Sequence, residues 1–201
     1  MSLHLQTDYS TLHKTLMAEA KKAGVYGTGI DRGVCFRVSF KWLVTTWKGQ
    51  AFKGAQMNMA KAGQKQMDYL KQADAVDKSQ YATWFKNANT LSKTTMQDWC
   101  SKHGMTCAEP YTCPALTSAQ PLAGNPDAAM IVGFFGEKST GVWGHATAYC
   151  NRGNKPLFFD INYGVYSFDG GDDPAAVMQK FIIDTYCKDK TIKDFALYQM
   201  I

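Results

Sequence analysis

No stretch of this sequence stays apolar for the length of a membrane span, about 20 residues, so no transmembrane segment is expected. The start, Met1-Ser2-Leu3-His4-Leu5-Gln6-Thr7-Asp8, has neither the basic region nor the apolar core of a signal peptide, and position 2 is not glycine. Classical export and N-terminal myristoylation of the chain as given are therefore not expected. Internal repeats and low-complexity runs are absent. Charge is not blocked: the net +5 is spread along the chain, and its densest basic region, Lys48 to Lys71, reads as the solvated face of helices. No nucleic-acid reader motif accompanies it, so a nucleic-acid partner is not expected.

What is present suits one domain, residues 1–201, with 45% apolar residues and 11 Phe, 10 Tyr and 5 Trp. That is enough for a core without disulfide staples. The six cysteines are Cys35, Cys100, Cys107, Cys113, Cys150 and Cys187. If one is a free nucleophile, an odd number remains, which does not suggest a disulfide framework. Cys100, His103, Cys107 and Cys113 cluster as C-x2-H-x3-C-x5-C, a set that could hold zinc or contain a Cys107–Cys113 bridge. The spacing matches no common finger, and Pro110 and Pro114 interrupt it, so unpaired thiols are expected and neither a metal nor a cofactor is called for.

The first half reads as helical. Leu12, Leu16, Met17 and Ala20 give a helix over 9–23, Gly-rich residues 24–33 a loop, and Val34, Phe36, Val38, Phe40, Trp42, Leu43, Val44 and Trp47 a buried helix to about Lys48. A long helix follows over 52–73. Two shorter ones start at Asp77-Lys78-Ser79, ending near Asn87 to Asn89, and at Ser92, with Gly104 as the stop. Residues 105–126 hold four of the six prolines and read as a crossing between a helical lobe (about 1–104) and a sheet lobe (about 126–201). Ala128 to Phe135 is a continuous apolar run, hence a buried strand, followed by strands at Val142 to Cys150, Leu157 to Asp160 and Val165 to Phe168. Asp173-Pro174 opens a helix through Tyr186, whose stripe is Val177, Met178, Phe181, Ile182 and Tyr186, and Phe195 to Ile201 is a last strand. The fold class is α+β: a helical half packed on an antiparallel sheet, with the site in the cleft between them.

Chemistry gathers at Gly33-Val34-Cys35, where the loop enters the buried helix. Free N–H groups and the positive end of the dipole in a helix's first turn ease ionisation of a thiol and can stabilise an oxyanion. Gly144-His145-Ala146-Thr147-Ala148 begins one strand of an expected hairpin, and Phe158-Phe159-Asp160 ends the other. That hairpin brings His145 and Asp160 together, so Cys35, His145 and Asp160 supply a nucleophile, a base and a group to orient the base. Taken singly, each has a plain structural account: core cysteine, surface histidine, capping aspartate.

The blocks G-x-C-x-x-x-S-x-x-W-L, G-H-A-x-A and F-F-D-x-N-x-G-x-Y-x-F resemble the YopT/AvrPphB family of bacterial effector cysteine proteases, of the papain-like clan. The matching residues are Gly33, Cys35, Ser39, Trp42, Leu43, then Gly144, His145, Ala146, Ala148, then Phe159, Asp160, Asn162, Gly164 and Phe168. The resemblance covers three short blocks. It implies a papain-like fold and a thioester-forming protease with Cys35, His145 and Asp160 as catalytic residues. It also implies a protein substrate in a target cell, delivery by a bacterial secretion route independent of a signal peptide, and room for a cognate inhibitor or immunity protein. Papain-like enzymes place Gln or Asn shortly before the nucleophile as an oxyanion donor. Here none of the six residues before Cys35 is an amide; Asp31 is the candidate for that role, more simply a helix N-cap, with backbone N–H groups or Arg32 as substitutes. Asp31 and Gly33 before the sulfur, and Trp143 and Asn162 beside the base and its orienter, are the site-shaping candidates. The missing amide keeps two alternatives open: the same triad used for amidase, deamidase or transglutaminase chemistry, or a catalytically silent interaction module.

Overall fold

A computed structural model describes residues 2–8, 11, 14, 18, 35–52, 64, 68–69, 71–73, 75–122 and 127–201. Asp31, Gly33 and the rest of the glycine-rich loop lie outside them, as do most of the helices expected over 9–23 and 52–73.

The centre is a seven-stranded, wholly antiparallel sheet made of β1 (Leu3–Asp8), β2 (Tyr111–Cys113), β3 (Asp127–Lys138), β4 (Gly141–Arg152), β5 (Pro156–Asp160), β6 (Gly164–Phe168) and β7 (Lys190–Met200). Their order across the sheet is β1-β6-β5-β4-β3-β7-β2. Helices lie on both faces, so β3 is buried on both sides and needs a near-continuous apolar run rather than alternation. Ala129, Ile131 and Phe135 enter one core with helices α1 (Cys35–Trp47) and α2 (Tyr81–Ser101). Met130, Val132 and Phe134 enter a second core with helix α3 (Pro174–Tyr186). The mixed helix-and-antiparallel-sheet class is the one the periodicity predicts.

Local chemistry accounts for the boundaries. The β4–β5 hairpin turns at Gly153 (φ 61°) and Asn154 (φ 59°), two successive left-handed residues as a type I′ turn requires. Asp173 caps α3 by accepting from the Ala175 N–H at 3.0 Å, with Pro174 in the first turn. Gly49 (φ 69°) ends α1 in a left-handed cap.

Three expectations are corrected. The first half is not purely helical, because Leu3–Asp8 pairs with β6 as an edge strand. An edge strand that buries only part of Leu3 needs no apolar pattern, so its sequence reads as polar. The two helices expected around 77–104 are one, Tyr81–Ser101. The asparagines read as a break serve tertiary partners: Asn87 donates to the Gln72 and Ala73 carbonyls at 2.9 and 3.1 Å, and Asn89 accepts from the Tyr198 hydroxyl at 2.7 Å. The segment 105–126 is not merely a crossing. Tyr111–Cys113 pairs with β7 as the other edge, held to three residues between Pro110 and Pro114. In addition, β7 begins five residues earlier than its apolar run, at Lys190, where an irregular register carries it along the end of β3.

None of the six cysteines is in a disulfide. The zinc-like cluster does not gather: Cys100 lies in the core of α1 and α2, and Cys113 lies in the core on the opposite face of the sheet. Among the described residues no three His, Cys, Asp or Glu side chains come close enough to hold a metal.

Candidate active site

The site begins with a mismatch of strand lengths. β4 has 12 residues and β5 has five, so their pairing stops at Ala148 opposite Phe159. Beyond that pair β4 continues without β5 beside it, and α1 occupies the gap. The fully buried Ser39 hydroxyl donates to the Ala146 carbonyl at 3.1 Å, which satisfies an acceptor that β5 no longer reaches. Trp42 stacks on Phe159 at 5.0 Å with ring planes 10° apart, fixing the same helix to the end of β5. One turn before Ser39, Cys35 opens α1 beside His145 and is 5% exposed.

His145 and Asp160 meet as the hairpin reading expects, with Nε2 3.2 Å from Oδ1. Asp160 is fully buried, and a buried carboxylate needs donors on both oxygens. Oδ1 also accepts from the Asn162 backbone N–H at 2.9 Å, and Oδ2 accepts from the Tyr186 hydroxyl at 2.7 Å. The Asn162 side-chain amide donates to the Tyr186 oxygen at 2.9 Å. The Tyr186 ring lies 4.9 Å from the imidazole at 33°, and Phe134 lies 5.2 Å from both.

Nε2 is turned to Asp160, and His145 also shares a hydrogen bond with Cys35. Burial disfavours the imidazolium. The charges of Asp160 and Cys35, with their hydrogen bonds, outweigh it and raise His145 from 6.5 to about 10. His145 is therefore held as a cation at neutral pH, the state that stabilises a neighbouring thiolate. Burial and then the Asp160 charge push the Tyr186 phenol far above its ordinary range, so it stays a donor.

The structure thus brings Cys35, His145, Asp160 and Asn162 into one connected group. Trp143 stands a layer further out. Its ring packs edge-on against Phe134 at 5.8 Å, its Nε1 donates to the Thr191 carbonyl at 3.1 Å, and Lys190 Nζ sits 4.2 Å over it. Tyr186 is the member that the sequence did not disclose. Its spacing on α3 marks it as one more apolar-face residue, and nothing local shows that this helix end meets the turn after β5. Ser39 belongs to a matched block, but its partner across the gap is a tertiary fact. Beside Cys35 and His145 a cavity of about 60 Å³ opens, walled by Phe36, Trp84, Phe135 and Tyr198, and no Asp, Glu, Lys or Arg lines it among the described residues.

No protein-family model matches the chain, and no curated protein matches it. Among solved structures, the chain is similar to the crystal structure of the Pseudomonas avirulence protein AvrPphB, with a TM-score of 0.57 and 16% identity over 87% of this chain and 94% of that one. At that identity the likeness is one of fold.

Proposed function

We propose that this chain is a cysteine protease of papain-like type, with Cys35 as nucleophile, His145 as base and acid, and Asp160 as the group that orients His145. The observation that carries this is the unbroken Cys35–His145–Asp160 hydrogen-bonded chain, buried at the start of a helix. The fold shared with AvrPphB, together with the matching motif blocks, supports the same reading.

In this mechanism the Cys35 thiolate attacks a peptide carbonyl carbon, a C–S bond forms, and the C=O π pair moves onto oxygen. Backbone N–H groups of the α1 first turn face that oxyanion. His145 gives its proton to the departing amine as the C–N bond breaks, leaving a thioester. Water then loses a proton to His145 and attacks the thioester, and the thiolate leaves. Asp160 holds the imidazole throughout without taking the proton. Asn162 holds Asp160, and Trp143 backs the Phe134 ring against which His145 rests. The cavity beside Cys35, walled mainly by Phe36, Trp84, Phe135 and Tyr198, suits an apolar substrate side chain. The substrate is a protein in a target cell, reached as a secreted bacterial effector. Among the described residues no helix is long and apolar enough to cross a membrane.

A second reading rests on one observation, the absence of Gln or Asn in the six residues before Cys35. In it the same thioester forms from a side-chain amide or is resolved by an amine. The test is incubation of the full chain with a complex peptide mixture and with an added primary amine, read by mass spectrometry. New amino termini that vanish in Cys35→Ala and fall at least about a hundredfold in His145→Ala support proteolysis. Cys35-dependent deamidation or amine incorporation without new termini supports the second reading. No Cys35-dependent product of either kind, with Cys35 alkylated no faster than the other cysteines, overturns both.

A further inference from the structure

We propose that Tyr186 is a positioning residue of this site: its hydroxyl clamps Asp160 so that the carboxylate presents one oxygen to His145, and through His145 it sets how readily Cys35 reacts. This inference rests on the reading of Cys35 as a His145-activated nucleophile.

A carboxylate rotates easily about its last torsion, and its plane is fixed only when donors hold both oxygens. Oδ1 of Asp160 is held by His145 and the Asn162 N–H, and Oδ2 is held by Tyr186 at 2.7 Å. The hydroxyl is itself held, because Asn162 Nδ2 donates to it at 2.9 Å and so commits its one proton to Asp160. The same oxygen is 3.2 Å from His145 Nε2, beside the Asp160 oxygen that Nε2 faces. The ring adds a wall 4.9 Å from the imidazole that limits its tilt. The clamp comes from α3, an element that carries none of Cys35, His145 or Asp160. The titratable groups facing this cluster are Cys35 from α1, Asp160 from β5, Tyr163 from the following turn, Tyr166 from β6 and Lys190 from β7, whose ammonium lies 5.4 Å over the Tyr186 ring.

Without the hydroxyl, Oδ2 is buried and unpaired, the carboxylate turns away, and His145 is held less firmly as a cation. The thiolate then forms at higher pH. The experiment measures the rate of iodoacetamide alkylation of Cys35 across pH by mass spectrometry in the full chain, in Y186F, D160N, H145A and the Y186F/D160N double variant. Near-UV circular dichroism checks packing. The expected wild-type midpoint lies below that of a free thiol, about 8.5. Y186F moves it up by about one unit, D160N moves it further, and the double variant matches D160N because Tyr186 acts through Asp160. A purely structural role for Tyr186 would lower amplitude or stability without moving the midpoint. The proposal is overturned by a Y186F midpoint equal to wild type while H145A and D160N shift theirs, or by a further shift in the double variant. A wild-type midpoint no lower than that of the other cysteines, unmoved in H145A, overturns the nucleophile reading itself and takes this inference with it. Where Y186F does not fold, N162A tests the same clamp by freeing the hydroxyl with the ring in place. A smaller upward shift supports it, and none overturns it.

Discussion

Three donors converge on the buried Asp160 carboxylate from three parts of the fold: His145 from β4, the Asn162 backbone from the turn after β5, and Tyr186 from α3. Removing any one leaves a buried acceptor short, which costs about 1–3 kcal/mol by itself. The consequence for His145 can be read from stability. Its imidazole is pushed up from 6.5 to about 10 in the fold, so His145 takes up a proton on folding between those values, offset below the free-thiol range by the one Cys35 gives up beside it. The stabilisation from the imidazolium is complete below pH 6.5 and is lost as pH rises through 10. Denaturant unfolding of the wild type is expected to weaken chiefly in the upper part of that window, above about pH 8.5 where an unfolded thiol has also lost its proton, by on the order of 1–2 kcal/mol. The His145→Gln variant, measured in parallel, is expected to lack that decline. A decline of equal size in the variant would assign it to other groups.

At the scale of elements, the site exists because α1 fills the space where β5 stops. Ser39 is the polar contact in that docking, donating to Ala146, the residue next to His145. Ser39→Ala leaves the Ala146 carbonyl buried without its donor, and is expected to cost about 1–3 kcal/mol in denaturant unfolding. It is also expected to slow Cys35 alkylation at neutral pH several-fold, since α1 carries the sulfur. Lost stability with unchanged Cys35 reactivity would show that Trp42, stacked on Phe159, holds the helix in register without the hydroxyl. Helix α2 shows the converse relation between side chain and element. Its Asn87, Asn89 and Ser92 look like capping residues, yet they spend their hydrogen bonds on Gln72, Ala73, Tyr198 and Tyr69, and the helix runs through them.

For the whole molecule, the sheet separates two cores, and the cysteines report on both. Cys100 and Cys150 lie in the core of α1 and α2, and Cys113 lies in the core of α3. Burial holds the Cys113 thiol above its usual range and raises Cys150 to about 11. Cys100 is raised first by its hydrogen bond to Cys107 and then by burial. Cys107 and Cys187 are half-buried. Pulse labelling with a thiol reagent along a urea titration is therefore expected to modify Cys35, Cys107 and Cys187 in the native protein. Cys100, Cys113 and Cys150 are expected to label together, only in the global transition. Separate midpoints for Cys113 and Cys150 would mean that the two faces unfold independently.

Whatever depends on residues near one another in the chain is legible without the fold. The period of the apolar residues marked α1, α3 and strands β3 to β6. The Asp173-Pro174 pair marked the start of α3, and the turn residues between β4 and β5 made a hairpin that brings His145 to Asp160. These follow from local propensity and from a repeat set by each element's own geometry. Tertiary structure alone decided the rest. It recruited Leu3–Asp8 and Tyr111–Cys113 as sheet edges, where little burial is required and no pattern is imprinted. It ran α2 straight through residues that resemble caps. It set Ser39 under Ala146 and Tyr186 against Asp160, across 107 and 26 residues of chain. A serine or tyrosine looks the same in sequence whether its hydroxyl meets water or a buried acceptor. Only the packing of distant elements determines which of the two it meets.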